Sequence, residues 1–176
     1  MAKQPHSMYE RLLAVEDRLE IYNLIASHPP SADTGADYYS RAIYIEEGEL
    51  DLGAGKGGKG NEKIASVVKT PEHQAAIAQG LAHFAGLPYI ELNGNEAVVT
   101  SYLQILTPHP TGEAMEVPGH GTTKGYRIHR VGANRWELTR TPQGWKIKRR
   151  TLRLIDGSEP AREILRGALA AFVPKG

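Results

Sequence analysis

The sequence YIELNGNEAVVTSYLQIL, residues 89–106, alternates apolar and polar side chains on both sides of an Asn-Gly pair. A period of two is typical of a β-strand with one buried face, and Asn-Gly favours the tight turn of a hairpin. The stretch therefore predicts a strand at residues 89–92, a turn at residues 93–95 and a longer strand at residues 97–106.

More strands are predicted downstream, after a loop rich in Pro and Gly at residues 107–121. Their boundaries are set by turn signals at residues 132–134 and 142–144, which gives strands at residues 122–131, 135–141 and 145–155. A last helix is predicted at residues 161–172. Its apolar positions suit docking onto the sheet, and they are Ile164, Leu165, Leu169 and Phe172.

Upstream of the strands, helical signals dominate. Ser7 and Glu10 fit a capping box, and the helix that they start should end at Pro29 and Pro30. In this helix Ile21 faces the core, whereas Asp17 faces water. Further elements are a linker at residues 31–35, helices at residues 36–45, 61–69 and 71–81, and a short strand at residues 49–52.

Helices followed by an antiparallel meander indicate an α+β fold, in which a curved antiparallel sheet wraps around the N-terminal helices and encloses a pocket. The chain has 176 residues, which predicts a single domain over residues 1–176. With 21 basic and 20 acidic residues the net charge is +1, so we expect no nucleic-acid partner.

The composition narrows the function classes further. The sequence contains no cysteine, which excludes disulfides and thiol nucleophiles. It has neither a membrane-length apolar run nor a signal peptide, so we expect a cytoplasmic protein with no membrane partner. The Gly- and Lys-rich residues 53–60 lack the Gly-Lys-Ser/Thr ending of a phosphate loop and predict a surface loop or lid.

Two candidate catalytic residues lie near the ends of predicted helices, in the connections that follow them. Asp33 lies in the linker after the first helix, and His83 lies just after the helix that leads into the strands. A histidine moves protons near neutral pH, and a carboxylate on its second ring nitrogen fixes the tautomer. Taken alone, each residue also has a structural interpretation, Asp33 as a helix cap and His83 as a half-buried core histidine.

The layout resembles the SnoaL-like branch of the nuclear-transport-factor-2-like (NTF2-like) superfamily over nearly the whole chain. This branch includes scytalone dehydratase and hexachlorocyclohexane dehydrochlorinase. The resemblance begins in residues 17–25 (DRLEIYNLI), with Asp33 nine positions after Leu24. It continues through the segments 38–44 (YYSRAIY), 46–52 (EEGELDL), 81–84 (LAHF), 89–92 (YIEL) and 144–150 (GWKIKRR).

The resemblance implies an NTF2-like conical barrel with an extra C-terminal helix and an Asp33–His83 dyad, in which His83 is the general base. It also places Arg150 where the dehydrochlorinase has an active-site arginine. Strand alternation puts Arg150 on the face of Leu152, opposite Ile147, although a surface arginine is the alternative in this basic stretch.

The sequence departs from the family at the leaving-group position, where the dehydrochlorinase has a lysine and this chain has His28. This argues against dehalogenation and leaves His28 as a proton donor or as a helix C-cap. Scytalone dehydratase uses paired tyrosines to hold a water against a carbonyl. Here the candidate substrate-binding phenols, which can also be packing groups, are Tyr22, Tyr38, Tyr39 and Tyr44.

Other chemistry-bearing residues lack a supporting pattern. A metal site is not expected, because no helical ligand spacing joins His109, His120, His129, Glu113 and Glu116. His73 is expected to be solvated. Ser101 lies within a strand rather than at a nucleophile elbow, which argues against a serine hydrolase.

The resemblance therefore implies a cofactor-independent lyase of dehydratase type. An Asp-His dyad would abstract a proton and eliminate water from a small hydroxylated aromatic, polyketide-like or alicyclic substrate. The alternatives are a carbon–carbon lyase that works by retro-aldol chemistry or formaldehyde release from a lignin-derived aromatic, an isomerase or cyclase, and a noncatalytic small-molecule or protein-binding module. A homo-oligomer is implied, with a trimer favoured over a dimer.

Overall fold

The computed structural model describes residues 7–170, in which six helices and nine strands are found. The helices are α1 (Met8–Ala26), α2 (His28–Asp33), α3 (Asp37–Ile43), α4 (Asn61–Val67), α5 (Pro71–Ala78) and α6 (Glu159–Leu169). The strands are β1 (Tyr44–Asp51), β2 (Gly57–Lys59), β3 (Ala82–Ala85), β4 (Tyr89–Asn93), β5 (Glu96–Pro108), β6 (Met115–Val117), β7 (Gly121–Thr123), β8 (Tyr126–Thr141) and β9 (Gly144–Leu154).

Seven strands form one sheet in the order β2-β1-β9-β8-β5-β3, with β4 also paired to β5. All pairs are antiparallel except β1 with β9, which runs parallel. The predicted hairpin is confirmed: Asn93 pairs with Glu96, and Gly94 has the positive φ of 60° that the tight turn requires. The predicted α+β arrangement, with helices against a curved sheet, is confirmed.

Strand β8 corrects the predicted break at residues 132–134. The chain continues as a strand through Gly132, because it pairs with β5 on one side and β9 on the other. Gly132 serves close packing rather than a turn, since a Cβ there would lie 2.6 Å from the Leu152 Cδ1 atom. The predicted loop at residues 107–121 is also partly ordered, as β6 pairs with β7 in a small second sheet.

Three elements occupy segments that were predicted to be connections. Helix α1 ends at Ala26. Pro29 is a favoured residue in the first turn of a helix, so a second helix, α2, begins at His28, and Asp33 is its last residue. His83 belongs to the short strand β3. The Gly-rich residues 53–60, predicted to be a surface loop or lid, include strand β2, which is paired with β1.

Helix α1 begins with the predicted Ser7–Glu10 capping box and packs Ile21 and Ile25 into the core. Asp17 was predicted to face water, but it is 7% exposed. Its carboxylate accepts a hydrogen bond from the Trp145 indole at 3.1 Å and pairs with Arg140. A buried carboxylate requires such partners, so Asp17 fastens α1 to the end of the sheet.

A β-bulge in β9 determines which residues enter the interior. Glu137 pairs with Arg149 and Leu138 pairs with Ile147, so Lys148 is an extra residue between them. Simple alternation predicted that Ile147 and Arg150 lie on opposite faces. Because the bulge shifts the pleat by one residue, both are buried, at 0% and 5% exposure respectively.

Helix α6 docks on the face of the sheet opposite the other helices and contacts β5, β8 and β9. Its buried residues are Ala161 and Ala168, with Ile164 and Leu165 half-buried. Leu169 was predicted to face the sheet but is 59% exposed, and Phe172 lies outside the described residues.

Ile147→Ala tests the burial of the β9 residue that immediately precedes the bulge. Removing a fully buried isoleucine should lower the free energy of unfolding by about 2–5 kcal/mol, measured by urea denaturation. Ile128→Ala is the matched control, because Ile128 is 56% exposed on the neighbouring strand. Its replacement should lower the free energy of unfolding by about 1 kcal/mol or less. Equal losses in the two variants would contradict the described packing of β9.

Candidate active site

A cavity of about 130 Å³ lies between helices α2–α5 and the concave face of the sheet. Most of its wall is apolar, with Ile43, Ile64 and Leu103 among the contributors. The titratable side chains that line it come from separated parts of the sequence: Tyr44, His28, His73, His83, Arg130 and Arg150. An apolar chamber with a few convergent polar groups is the usual form of a small-molecule site.

His83 lines one wall of this cavity, and Asp33 contacts His83 without lining the cavity itself. The Asp33 Oδ1 atom is 2.5 Å from His83 Nδ1, and Oδ2 accepts the backbone N–H of His83 at 2.9 Å. Strand β3 positions the ring, because His83 pairs with the buried Ile105 and so faces the concave side. The structure therefore brings together two residues that are fifty positions apart in the sequence.

The contact with Asp33 determines the tautomer of His83. A carboxylate accepts hydrogen bonds, so Nδ1 carries the proton and Nε2 keeps its lone pair. Burial lowers the pKa of His83, although Asp33 acts in the opposite direction. The ring is therefore neutral at neutral pH, and Nε2 is able to accept a proton.

Arg150 occupies the floor of the cavity. Its Nε donates to the Asn134 side-chain oxygen at 3.0 Å, and its guanidinium lies 4.4 Å from the centre of the Trp136 ring. Tyr44 is a further hydrogen-bonding neighbour. Burial lowers the pKa of Arg150, but a guanidinium remains charged near neutral pH.

His28 is the first residue of α2 and lies between the dyad and Arg150. Its ring centre is 5.8 Å from that of His83, and Arg150 Nη1 approaches His28 Nδ1 at 3.4 Å. Because a guanidinium only donates, Nδ1 accepts and Nε2 carries the proton. Burial, followed by the charge of Arg150, lowers the pKa of His28 well below its ordinary value.

His73 was expected to be solvated, but it is half-buried and lines the cavity. Its Nε2 donates to the Ala32 carbonyl at 2.8 Å, and its ring centre is 6.3 Å from that of His83. The sequence did carry a signal, because Thr70 caps α5 by accepting the backbone N–H of His73. That cap places His73 in the first turn, at the helix end nearest α2.

The four candidate tyrosines separate into two groups. Tyr44 is 4% exposed and lines the cavity beside Arg150. Tyr39 packs against the core, whereas Tyr22 and Tyr38 are 40% and 71% exposed. None of these last three lines the cavity, because Tyr22 and Tyr38 occupy the outward faces of α1 and α3.

The remaining candidates lie elsewhere. His109 and His129 border a separate surface groove, and His120 lies in the turn between β6 and β7. Ser101 is buried and accepts the Trp136 indole N–H at 3.1 Å, which is a structural role. Over residues 7–170, no three His, Asp or Glu side chains cluster closely enough to hold a metal ion. No helix within that range is long and apolar enough to cross a membrane.

Comparison with known proteins identifies the family. The model of the SnoaL-like domain matches residues 13–151. The chain belongs to the SnoaL-like family. This family includes enzymes of the dehydratase and isomerase types. Among the curated proteins, none matches this chain.

Solved structures agree with the family assignment. An NTF2-like protein with a cystatin-like fold from Novosphingobium aromaticivorans is 32% identical with a TM-score of 0.80, over 92% of this chain and 99% of that one. A provisionally assigned scytalone dehydratase from the same organism is 17% identical with a TM-score of 0.59, over 82% and 85%. A provisionally assigned aromatic ring hydroxylase, also from N. aromaticivorans, is 21% identical with a TM-score of 0.58, over 80% and 90%. The NTF2-like fold expected from the sequence is confirmed.

The lowered pKa of His28 makes stability depend on pH. Unfolding restores an ordinary imidazole pKa of about 6.5, so below that pH the unfolded chain binds a proton that the folded chain does not. As the pH falls from about 7 to about 5, the wild-type protein should lose about 1–2 kcal/mol more stability than His28→Gln. Urea denaturation at each pH measures the difference.

The exposed His129 provides the control for this experiment. His129→Gln should follow the wild-type curve, because His129 is exposed on β8 and lies outside the cavity. Identical pH dependence in the wild type and His28→Gln would contradict the burial of a neutral His28.

Proposed function

We propose that this protein is a cofactor-independent lyase of dehydratase type that removes water from a small cyclic hydroxylated substrate. The observation that carries the proposal is the 2.5 Å contact between Asp33 and His83, whose ring lines a mainly apolar cavity. A neutral imidazole held by a carboxylate is a general base, and an apolar chamber strengthens electrostatic interactions within it.

In the proposed reaction His83 Nε2 takes a proton from a substrate carbon next to an activating carbonyl group. The C–H electron pair forms a carbon–carbon double bond as the neighbouring C–O bond breaks. The departing hydroxide takes back the proton that His83 Nε2 removed and leaves as water, so the imidazole returns to its neutral form. Asp33 stabilises the imidazolium formed on His83, because its carboxylate already contacts Nδ1.

The proposal assigns the other polar groups by position. Arg150 stabilises the enolate-like charge, since its guanidinium is already desolvated and fixed by Asn134 and Trp136. His28 presents an Nε2–H within the same cavity and assists the departure of the hydroxyl. Tyr44 is the one candidate tyrosine retained for substrate binding, because its side chain lines the cavity next to Arg150.

His83→Ala should lower turnover by about two to four orders of magnitude while the fold is retained, because the base is removed. The assay is a panel of monocyclic β-hydroxy carbonyl compounds, with loss of water followed by mass spectrometry. Circular dichroism and the melting temperature report on the fold. His129→Ala is the matched control and should keep wild-type turnover, since His129 lies outside the cavity.

Product analysis distinguishes the related reactions. Loss of water supports the dehydratase proposal, while an isomeric product or a cleaved carbon–carbon bond would replace it with an isomerase or a carbon–carbon lyase. Near-normal turnover in His83→Ala would contradict the assignment of the base. Binding of panel compounds with neither turnover nor deuterium uptake from D₂O would favour a noncatalytic binding module.

A further inference from the structure

Apart from the Tyr44 phenol, the titratable side chains that the structure places in the wall of the cavity are basic. The wall contains His28, His73, His83, Arg130 and Arg150, and within the described residues no aspartate or glutamate lines it. Asp33, the carboxylate nearest to this wall, already accepts two hydrogen bonds from His83. The chamber therefore presents positive charge that no acidic group on its own surface compensates.

Arg150 is a buried positive charge without a counter-ion among the described residues. Over residues 7–170, its side-chain partners are all neutral: the Asn134 amide, the His28 ring, the Tyr44 hydroxyl and the Trp136 ring face. A buried charge is normally paired, because desolvation without a counter-ion is costly. The cavity is thus complementary to an anion, whether permanent or formed during the reaction.

Arg130 is exposed and also lines the cavity, so it adds positive charge where the cavity meets solvent, at its mouth. It lies on β8 opposite Ile105 and borders both the main cavity and an adjoining recess of about 40 Å³. Within the described residues it has no ion pair or side-chain hydrogen bond. Four other arginines on β8 and β9 pair with carboxylates, namely Arg135, Arg140, Arg149 and Arg153, whereas Arg127 has no such pair among the described residues.

The size of the cavity limits the rest of the ligand. Its volume of about 130 Å³ is close to the roughly 150 Å³ of an engineered protein cavity that holds one benzene molecule. A single six-membered ring therefore fits, whereas fused rings would require the walls to move. A ring in the chamber leaves its substituent at the mouth, next to Arg130.

We propose that the substrate is a monocyclic carboxylate and that Arg130 selects it by binding the carboxylate at the cavity mouth. That the bound carboxylate is a substrate rests on the proposed function, because binding at Arg130 would place the reacting part of the ring beside His83. Arg150 then remains free to stabilise charge that develops at the floor. Arg130 is a specificity-determining residue in this arrangement.

The test compares two probes of nearly equal shape, benzoate and benzamide, by isothermal titration calorimetry. The wild-type protein should bind benzoate at least about tenfold more tightly than benzamide, since a charge-assisted pair is worth about 1.4 kcal/mol or more. Arg130→Gln should remove this preference by weakening benzoate binding and leaving benzamide binding unchanged. Arg130→Lys should restore part of it.

Arg127→Gln is the matched control. It removes one positive charge from the same strand, but Arg127 borders a different groove, so the preference for benzoate should persist. Melting temperatures confirm that each variant is folded. The proposal is overturned if wild-type protein binds benzoate no better than benzamide or not at all, or if Arg130→Gln keeps the wild-type preference.

The same titration separates this proposal from the catalytic one. His83→Ala should keep the preference for benzoate, because binding of the carboxylate needs no base. If turnover fails but the preference holds, only the dehydratase proposal is lost. If turnover depends on His83 but the preference is absent, only the assignment of Arg130 is lost.

Discussion

The carboxylate of Asp33 is the constraint on which the rest of the site depends. One oxygen accepts the backbone N–H of His83 and the other contacts the Nδ1 atom of its ring. The same group therefore joins the end of α2 to strand β3 and fixes the tautomer of the imidazole. A residue that only capped a helix would do neither. The chemistry at Nε2 follows from this attachment, because the second ring nitrogen is the one left to accept a proton.

The sheet forms the opposite wall of the cavity. The β-bulge in β9, rather than the regular strand pairing, determines which side chains enter the cavity from that wall. The extra Lys148 in β9 turns Arg150 inward, where Trp136 and Asn134 hold the guanidinium. Burial next to this fixed positive charge keeps His28 neutral, so the cavity contains neutral imidazoles and an unpaired guanidinium together. Such an environment favours a reaction that removes a proton and creates negative charge near Arg150.

The sequence predicted the elements whose signals are local. The Asn-Gly hairpin and the capped start of α1 required only a few neighbouring residues, and both were found. Features that depend on distant partners were missed. Residues 132–134 have the composition of a turn, but pairing with strands on both sides keeps β8 continuous there. The bulge at Lys148 can be recognised only from the pairing of β9 with β8. The Thr70 cap placed His73 in the first turn of α5, but its position in the cavity, like that of Arg130, depends on tertiary packing.

The most direct test of the account is the tautomer of His83, measured by long-range ¹H–¹⁵N correlation NMR on protein labelled at histidine. The His83→Gln variant assigns the signal. Near pH 7 we expect a neutral ring protonated at Nδ1, and a change in that signal when Asp33 is replaced by asparagine. A ring that is protonated at Nε2, or that is fully charged at this pH, would contradict the claim that Asp33 prepares His83 as a base.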